Sequence, residues 1–285
     1  MTEVKPLQVH QALWAMDKLV SPEASTAEKF DRVLAAGFEG MAIDLGALSF
    51  TEAEATVAHF ERTGLRGALT AFPASAEALR PALALAQRIA APYVVVICQD
   101  MPVALGDMIR VVEDCLSVSE AERMPIQFET HRNCITNDLY ATIQLLDAVP
   151  AMRLAADLSH YVVDREMPCP PTPHLQSLVT RVLERSDSFQ GRVAARGQIQ
   201  LALDFPQNAK WVSLFRRWWR EGFTAWQRRH AADALPAVFL CELGPPDYAL
   251  TGADGRELSD RWVEALTLAR WARELWAEVA QGKAA

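Results

Sequence analysis

The sequence predicts an α/β fold, a single-domain (β/α)8 barrel, the TIM-barrel architecture, over residues 1–285. Three observations lead there. Short extended runs alternate with helical runs, and eight such pairs can be followed along the chain. Apolar segments recur without a linker or low-complexity tract to divide them. No G-x-G-x-x-G or G-x-x-x-x-G-K-[ST] turn follows the first strand, or occurs anywhere, which counts against an open nucleotide-binding sheet.

The first strand is read over 7–16, and helical spacing over 26–36 stops at Gly37. The run 40–45 is a second strand, followed by a helix over 51–63 that ends at Gly64, a residue suited to a left-handed helix stop. A third strand over 65–72 precedes a helix over 76–90. Tyr-Val-Val-Val-Ile-Cys over 93–98 is β-rich and makes the fourth strand, with the next helix inside 103–122. Strand five is 126–129, with a helix over 138–148. Strand six is 153–157, and the Pro-rich 167–173 reads as a loop before a helix near 174–184. The weakly β-like run 191–196 is taken as strand seven, and 209–230 as a long helix. Strand eight is 238–242, and 258–280 closes the chain as a helix.

The long helix carries Trp211, Phe215, Trp218, Trp219 and Trp226 with several arginines between them. Basic and aromatic residues together suit a nucleic acid, but these positions keep helical spacing, so an amphipathic helix packed on the barrel or at a subunit contact is expected. The preceding loop, 198–207, is long enough to fold over a site as a lid.

At 51% hydrophobic and 22% charged residues, the chain can bury a full core. A net charge of -8 argues against a nucleic-acid partner. The start, Met1-Thr-Glu-Val-Lys-Pro, lacks the apolar region of a secretory signal, and no run reaches the roughly 18 apolar residues of a membrane span. Five scattered cysteines without paired spacing suit reduced thiols, so a cytoplasmic location is expected. A homo-oligomer is left open.

In such a barrel, functional groups sit at the carboxyl ends of the strands. Three acids fall there: Glu129 after Met-Pro-Ile-Gln-Phe, Asp157 after Met-Arg-Leu-Ala-Ala, and Glu242 after Ala-Val-Phe-Leu-Cys. Convergent carboxylates can hold a divalent cation or exchange protons with a substrate. Trp14 is placed to wall a substrate site or to fill the barrel core. His131 is placed to touch substrate, orient Glu129, or brace its loop.

Glu129-Thr-His-Arg132, Thr136-Asn-Asp138, Ala156-Asp-Leu-Ser-His160 and Glu242-Leu-Gly-Pro-Pro246 resemble the xylose isomerase-like TIM-barrel superfamily, in particular its sugar phosphate isomerase/epimerase-like branch. The resemblance spans nearly the whole chain. It implies a divalent metal (Mn, Mg, Co or Zn) on a Glu, an Asp, a His and a Glu from strands five to eight. Glu129, Asp157 and Glu242 match three of these. It further implies that Glu129 and Glu242 act as acid and base, that His160 contacts substrate, and that an Arg after strand seven, here Arg196, binds a substrate oxygen or phosphate. The expected strand-seven His-x-Arg is matched to Ala194-Ala195-Arg196, which leaves an alanine where a ligand is due. The expected activity is a metal-assisted isomerase or epimerase on a small carbohydrate or polyol ketone. A lyase or dehydratase on a keto-sugar, inosose or glycoside is the alternative, and a binding protein with a degraded metal site is another.

Overall fold

The protein is described by a computed structural model covering residues 6–19, 24–230 and 236–282. The polar start at residues 1–5 lies outside the described residues. Eight parallel strands follow one another around a closed ring: β1 (Leu7–Ala12), β2 (Gly40–Asp44), β3 (Arg66–Ala71), β4 (Val94–Val96), β5 (Ile126–Glu129), β6 (Leu154–Ala156), β7 (Ser186–Gly191) and β8 (Ala237–Cys241). The ring closes where β1 pairs with β8, Leu7 opposite Ala237 and Gln11 opposite Cys241. This is the predicted (β/α)8 barrel as one domain.

The helices between and after the strands are α1 (Thr26–Ala35), α2 (Phe50–Ala55), α3 (Val57–Thr63), α4 (Arg80–Arg88), α5 (Leu105–Glu122), α6 (Leu139–Ala148), α7 (Leu158–Asp164), α8 (Pro173–Glu184), α9 (Ala209–Arg229) and α10 (Arg261–Ala280). Their starts are locally encoded. Ser25 with Glu28, and Ser49 with Glu52, form reciprocal capping boxes for α1 and α2. Among the described residues no helix is long and apolar enough to cross a membrane.

Strand side chains alternate between two environments. Val9, Met41, Leu69, Phe128, Phe189 and Phe239 join one large apolar core between strands and helices. The alternate positions form two small separate clusters, one containing Ala12, Ala42, Ala68 and Leu240, the other Tyr93, Val95, Ala155 and Val238.

Strand seven departs from the sequence expectation. The strand is Ser186–Gly191, ending where 191–196 was expected to begin. Ser-Asp-Ser-Phe-Gln-Gly carries no β-branched residue, yet all six residues are buried. Long-range hydrogen bonds sustain it. The Ser188 hydroxyl donates to Gln127 Oε1 at 2.5 Å, and Asp187 Oδ1 accepts from Arg229 at 2.7 Å. The expected first strand is also shorter: the chain leaves β1 at Ala12 and turns through a short 3-10 segment, Trp14–Met16. After β6, residues 158–164, to which the sequence reading gives no element, form α7, capped by Asp157.

Helix α9 buries its stripe of Trp211, Phe215, Trp218, Trp219 and Trp226. Arg220 on its outer side pairs with Glu278 of α10 at 2.5 Å, and Arg216 lies over the Trp271 ring. The long loop before α9 is packed down rather than arched over the ring. Gln200 exchanges two hydrogen bonds with Gly244, Leu201 donates to the Val193 carbonyl at 2.9 Å, and Leu203 donates to Glu264 at 2.7 Å.

Candidate functional site

The three acids converge at the carboxyl end of the ring. Glu129 is the last residue of β5, Asp157 follows β6, and Glu242 follows β8; one oxygen from each lies within 4.8 Å of the others. All three are buried. Asp157 Oδ1 is engaged by the Ser159 amide at 2.9 Å and by the Ser159 hydroxyl, as the cap of α7. That fixes the carboxylate and leaves Oδ2 without a hydrogen bond, as Glu242 Oε2 also is. Glu129 and Glu242 open on a cavity of about 280 Å³ that Asp44, Trp14 and Tyr248 also line. A roomier hollow of about 450 Å³ around Arg80 and Asp114 lies away from these acids.

Arg192, which the sequence reading did not single out, stands among the acids. It follows Gly191 directly and is almost fully buried. Its Nη2 is 3.0 Å from Glu242 Oε2 and its Nη1 is 3.5 Å from Asp157 Oδ2. Its Nε donates to the Glu242 main-chain oxygen at 3.0 Å, and the guanidinium lies 5.0 Å from the Tyr248 ring centre. Gly191 is needed beside it, because a Cβ there would lie 2.6 Å from the Phe239 ring.

The corrected strand moves the expected His-x-Arg position. At the end of β7 the chain reads Gln190-Gly191-Arg192, not Ala194-Ala195-Arg196. Gln190 Nε2 donates to Glu129 Oε2 at 3.2 Å, while its Oε1 has no partner. Ala194 is wholly buried in the apolar core, so it is not a vacated ligand position. The idea of a site degraded at residue 194 therefore loses its basis. Arg196 is exposed and pairs with Glu166 at 3.2 Å, apart from the acids.

The two histidines come together. His160, in the first turn of α7, is 1% exposed, and its Nε2 lies 3.5 Å from Asp157 Oδ2. Its ring centre is 4.0 Å from that of His131. The Nδ1 of His131 faces the Arg132 main-chain oxygen. Glu129, His131 and His160 make a second group of donors within 4.8 Å of one another. The Trp14 ring meets Tyr248 edge-on at 5.5 Å. Gly244 permits that contact, since a Cβ would fall 2.6 Å from the indole.

Burial separates the proton affinities of these groups. It raises Glu129 well above the usual carboxylate range, with the negative charges of Glu242 and Asp157 adding to the effect. Burial pushes Glu242 up to about 7, against the pull of Arg192. Burial also lowers His131 to about 4 and His160 well below its ordinary value, so both imidazoles are neutral at pH 7. A protonated and an ionisable carboxyl can thus face one cavity near neutrality, the requirement for acid–base proton transfer. Three clustered carboxylates and two neutral imidazoles are also compatible with a divalent cation.

No family model matches the sequence. No curated protein matches it either. Solved structures do match in fold. D-allulose 3-epimerase from Methylomonas sp. in complex with D-allulose superposes with a TM-score of 0.57 at 13% identity, covering 98% of this chain and 99% of that one. A xylose isomerase-like TIM barrel protein from Mycobacterium smegmatis in complex with magnesium gives 0.57 at 14% identity, covering 98% of each. The probable 3-DHS dehydratase of petrobactin synthesis from Bacillus anthracis gives 0.53 at 13% identity, covering 93% and 97%. The chain therefore shares the fold of the xylose isomerase-like TIM-barrel proteins.

Proposed function

We propose that this chain is a sugar isomerase/epimerase-like enzyme that moves a proton beside the carbonyl of a small carbohydrate or polyol ketone. The observation that carries the reading is the pair Glu129 and Glu242, buried on one cavity and separated in proton affinity. Glu242, ionising near neutrality, removes the proton on the carbon next to the carbonyl. Glu129 returns a proton to the opposite face or to the neighbouring carbon. Arg192 holds substrate oxygens, and the Trp14–Tyr248 corner packs against the C–H face. The carboxylate and imidazole donors would hold a divalent cation, which when bound would supply charge stabilisation beside the substrate carbonyl. The sugar epimerases that share the fold support this reading. A cytoplasmic setting suits the free cysteines.

An elimination is the second reading, favoured by the dehydratase among the structures of similar fold. The same enolate would then expel a β-hydroxyl as water.

Incubating the protein with a panel of ketoses in D2O, with and without added divalent cations, tests both. One deuterium per molecule at a carbon beside the carbonyl is expected for isomerisation or epimerisation. Loss of water identifies elimination. Neither change with any ketose overturns the proposed function.

A further inference from the structure

Glu129 belongs to two donor groups, one with Asp157 and Glu242, the other with His131 and His160. The two are not equally open to a cation. In the first, the Arg192 guanidinium already faces both partner carboxylates, 3.0 Å from Glu242 Oε2 and 3.5 Å from Asp157 Oδ2. It is anchored through Nε to the Glu242 main-chain oxygen, and arginine keeps its charge at any ordinary pH. A dication bound between Asp157 and Glu242 would sit against that fixed positive charge.

The second group has the opposite character. His160 is 1% exposed and neither ring nitrogen has a hydrogen-bond partner. A buried imidazole left bare on both nitrogens calls for a ligand. His131 has its Nδ1 against the Arg132 main-chain oxygen, the second contact that usually orients a metal-binding imidazole and leaves Nε2 as the donor. Asp157 Oδ2, 3.5 Å from His160 Nε2, is beside the group.

We propose that the cation site of this protein is the histidine side of the cluster, with Glu129, His131 and His160 as ligands. Such a mixed nitrogen and oxygen site takes Zn²⁺, Co²⁺ or Mn²⁺ in preference to Mg²⁺. Arg192 then serves the carboxylate side, and Glu242 is left unligated. The donor set deepens the cation part of the function proposed above and is measured without any substrate.

The test is a titration of chelator-stripped protein with Co²⁺, read by calorimetry and by the visible d–d absorption of the bound ion, with Zn²⁺ and Mg²⁺ as competitors. Saturable Co²⁺ binding is expected, displaced by Zn²⁺ far more readily than by Mg²⁺. His131→Gln and His160→Gln should each weaken it by about tenfold or more, whereas Glu242→Gln and Gln190→Ala should change it by less than about threefold. His131 is only partly buried, so its variant carries the test if His160→Gln fails to fold. Weakening by Glu242→Gln with no effect of His131→Gln overturns the assignment, as does absence of binding to the wild-type protein. Co²⁺ binding on the histidines without ketose exchange in D2O would leave this site standing and remove the sugar chemistry.

Discussion

Arg192 reaches Glu242 at two points, donating from Nε to its main-chain oxygen at 3.0 Å and standing with Nη2 at 3.0 Å from its side-chain Oε2. The arginine therefore fixes both where the glutamate lies and how readily it ionises. Removing it leaves buried carboxylates to face one another. Arg192→Met is expected to cost about 3–5 kcal/mol near pH 8, the usual consequence of breaking a buried ion pair from one side. The loss should shrink toward pH 5, where the carboxyl groups take up protons. Urea denaturation at the two pH values measures both terms, and an equal loss at both would contradict the electrostatic account.

Glu242→Gln keeps the shape of the side chain but removes the base. The proposed proton transfer should slow by roughly 10²–10⁴-fold with little change in KM. Because Glu242 titrates at about 7, kcat/KM of the wild-type protein should rise as pH increases through that value. Glu242→Asp should preserve a rising limb at a lower rate, and Glu242→Gln should abolish it. Steady-state kinetics across this range decides the matter.

Two histidine insertions separate the sequence-based alignment of strand seven from the observed one. Ala194 is wholly buried, so Ala194→His forces an imidazole into packed apolar surroundings at a cost of about 1–3 kcal/mol. It should bring no gain in metal binding. Gln190→His instead adds a donor beside Glu129. Zn²⁺ should raise the Tm of Gln190→His more than that of the wild-type protein, and thermal melts of the three proteins with and without Zn²⁺ show whether it does.

Glu264 ties the loop before α9 to α10, accepting from the Leu203 amide at 2.7 Å and from the Ser259 hydroxyl at 3.2 Å. Burial pushes its carboxyl up to about 7. A carboxyl raised on folding binds its proton more tightly in the folded state. Its contribution is complete below the ordinary carboxylate pKa and disappears as pH rises through 7, by at most about 3 kcal/mol. Relative to the wild-type protein, Glu264→Gln should gain stability steadily from about pH 4.5 to 8. A constant difference across that range would refute this linkage.

The barrel was legible because its strands are marked locally. Tyr-Val-Val-Val-Ile-Cys at β4 declares itself, and the turn at Gly64 ends α3 with the left-handed geometry that glycine accepts readily. The acids were legible for the same reason, since each follows an apolar run. Strand β7 was not. Its β character comes from the partners of Ser188, Asp187 and Gln190 on other elements, and none of these is visible in Ser-Asp-Ser-Phe-Gln-Gly read alone. Misplacing that strand hid Arg192, whose hydrogen-bond partner Glu242 is 50 residues away. Helix α7 could have been found: Asp157 precedes Leu-Ser-His-Tyr-Val-Val, an acidic cap before an apolar turn. Pairing His131 with His160 required the fold.

The pairing of β1 with β8 also bears on how the protein is made. During synthesis Leu7–Ala12 leaves the ribosome before the other seven strands, and one side of it stays bare until Ala237–Cys241 has followed. Glu242 is the next residue in the chain. Ring and acid pair are therefore completed by the same stretch of translation. A nascent or truncated chain that stops short of it has an open parallel edge prone to sticking and only one of its two glutamates.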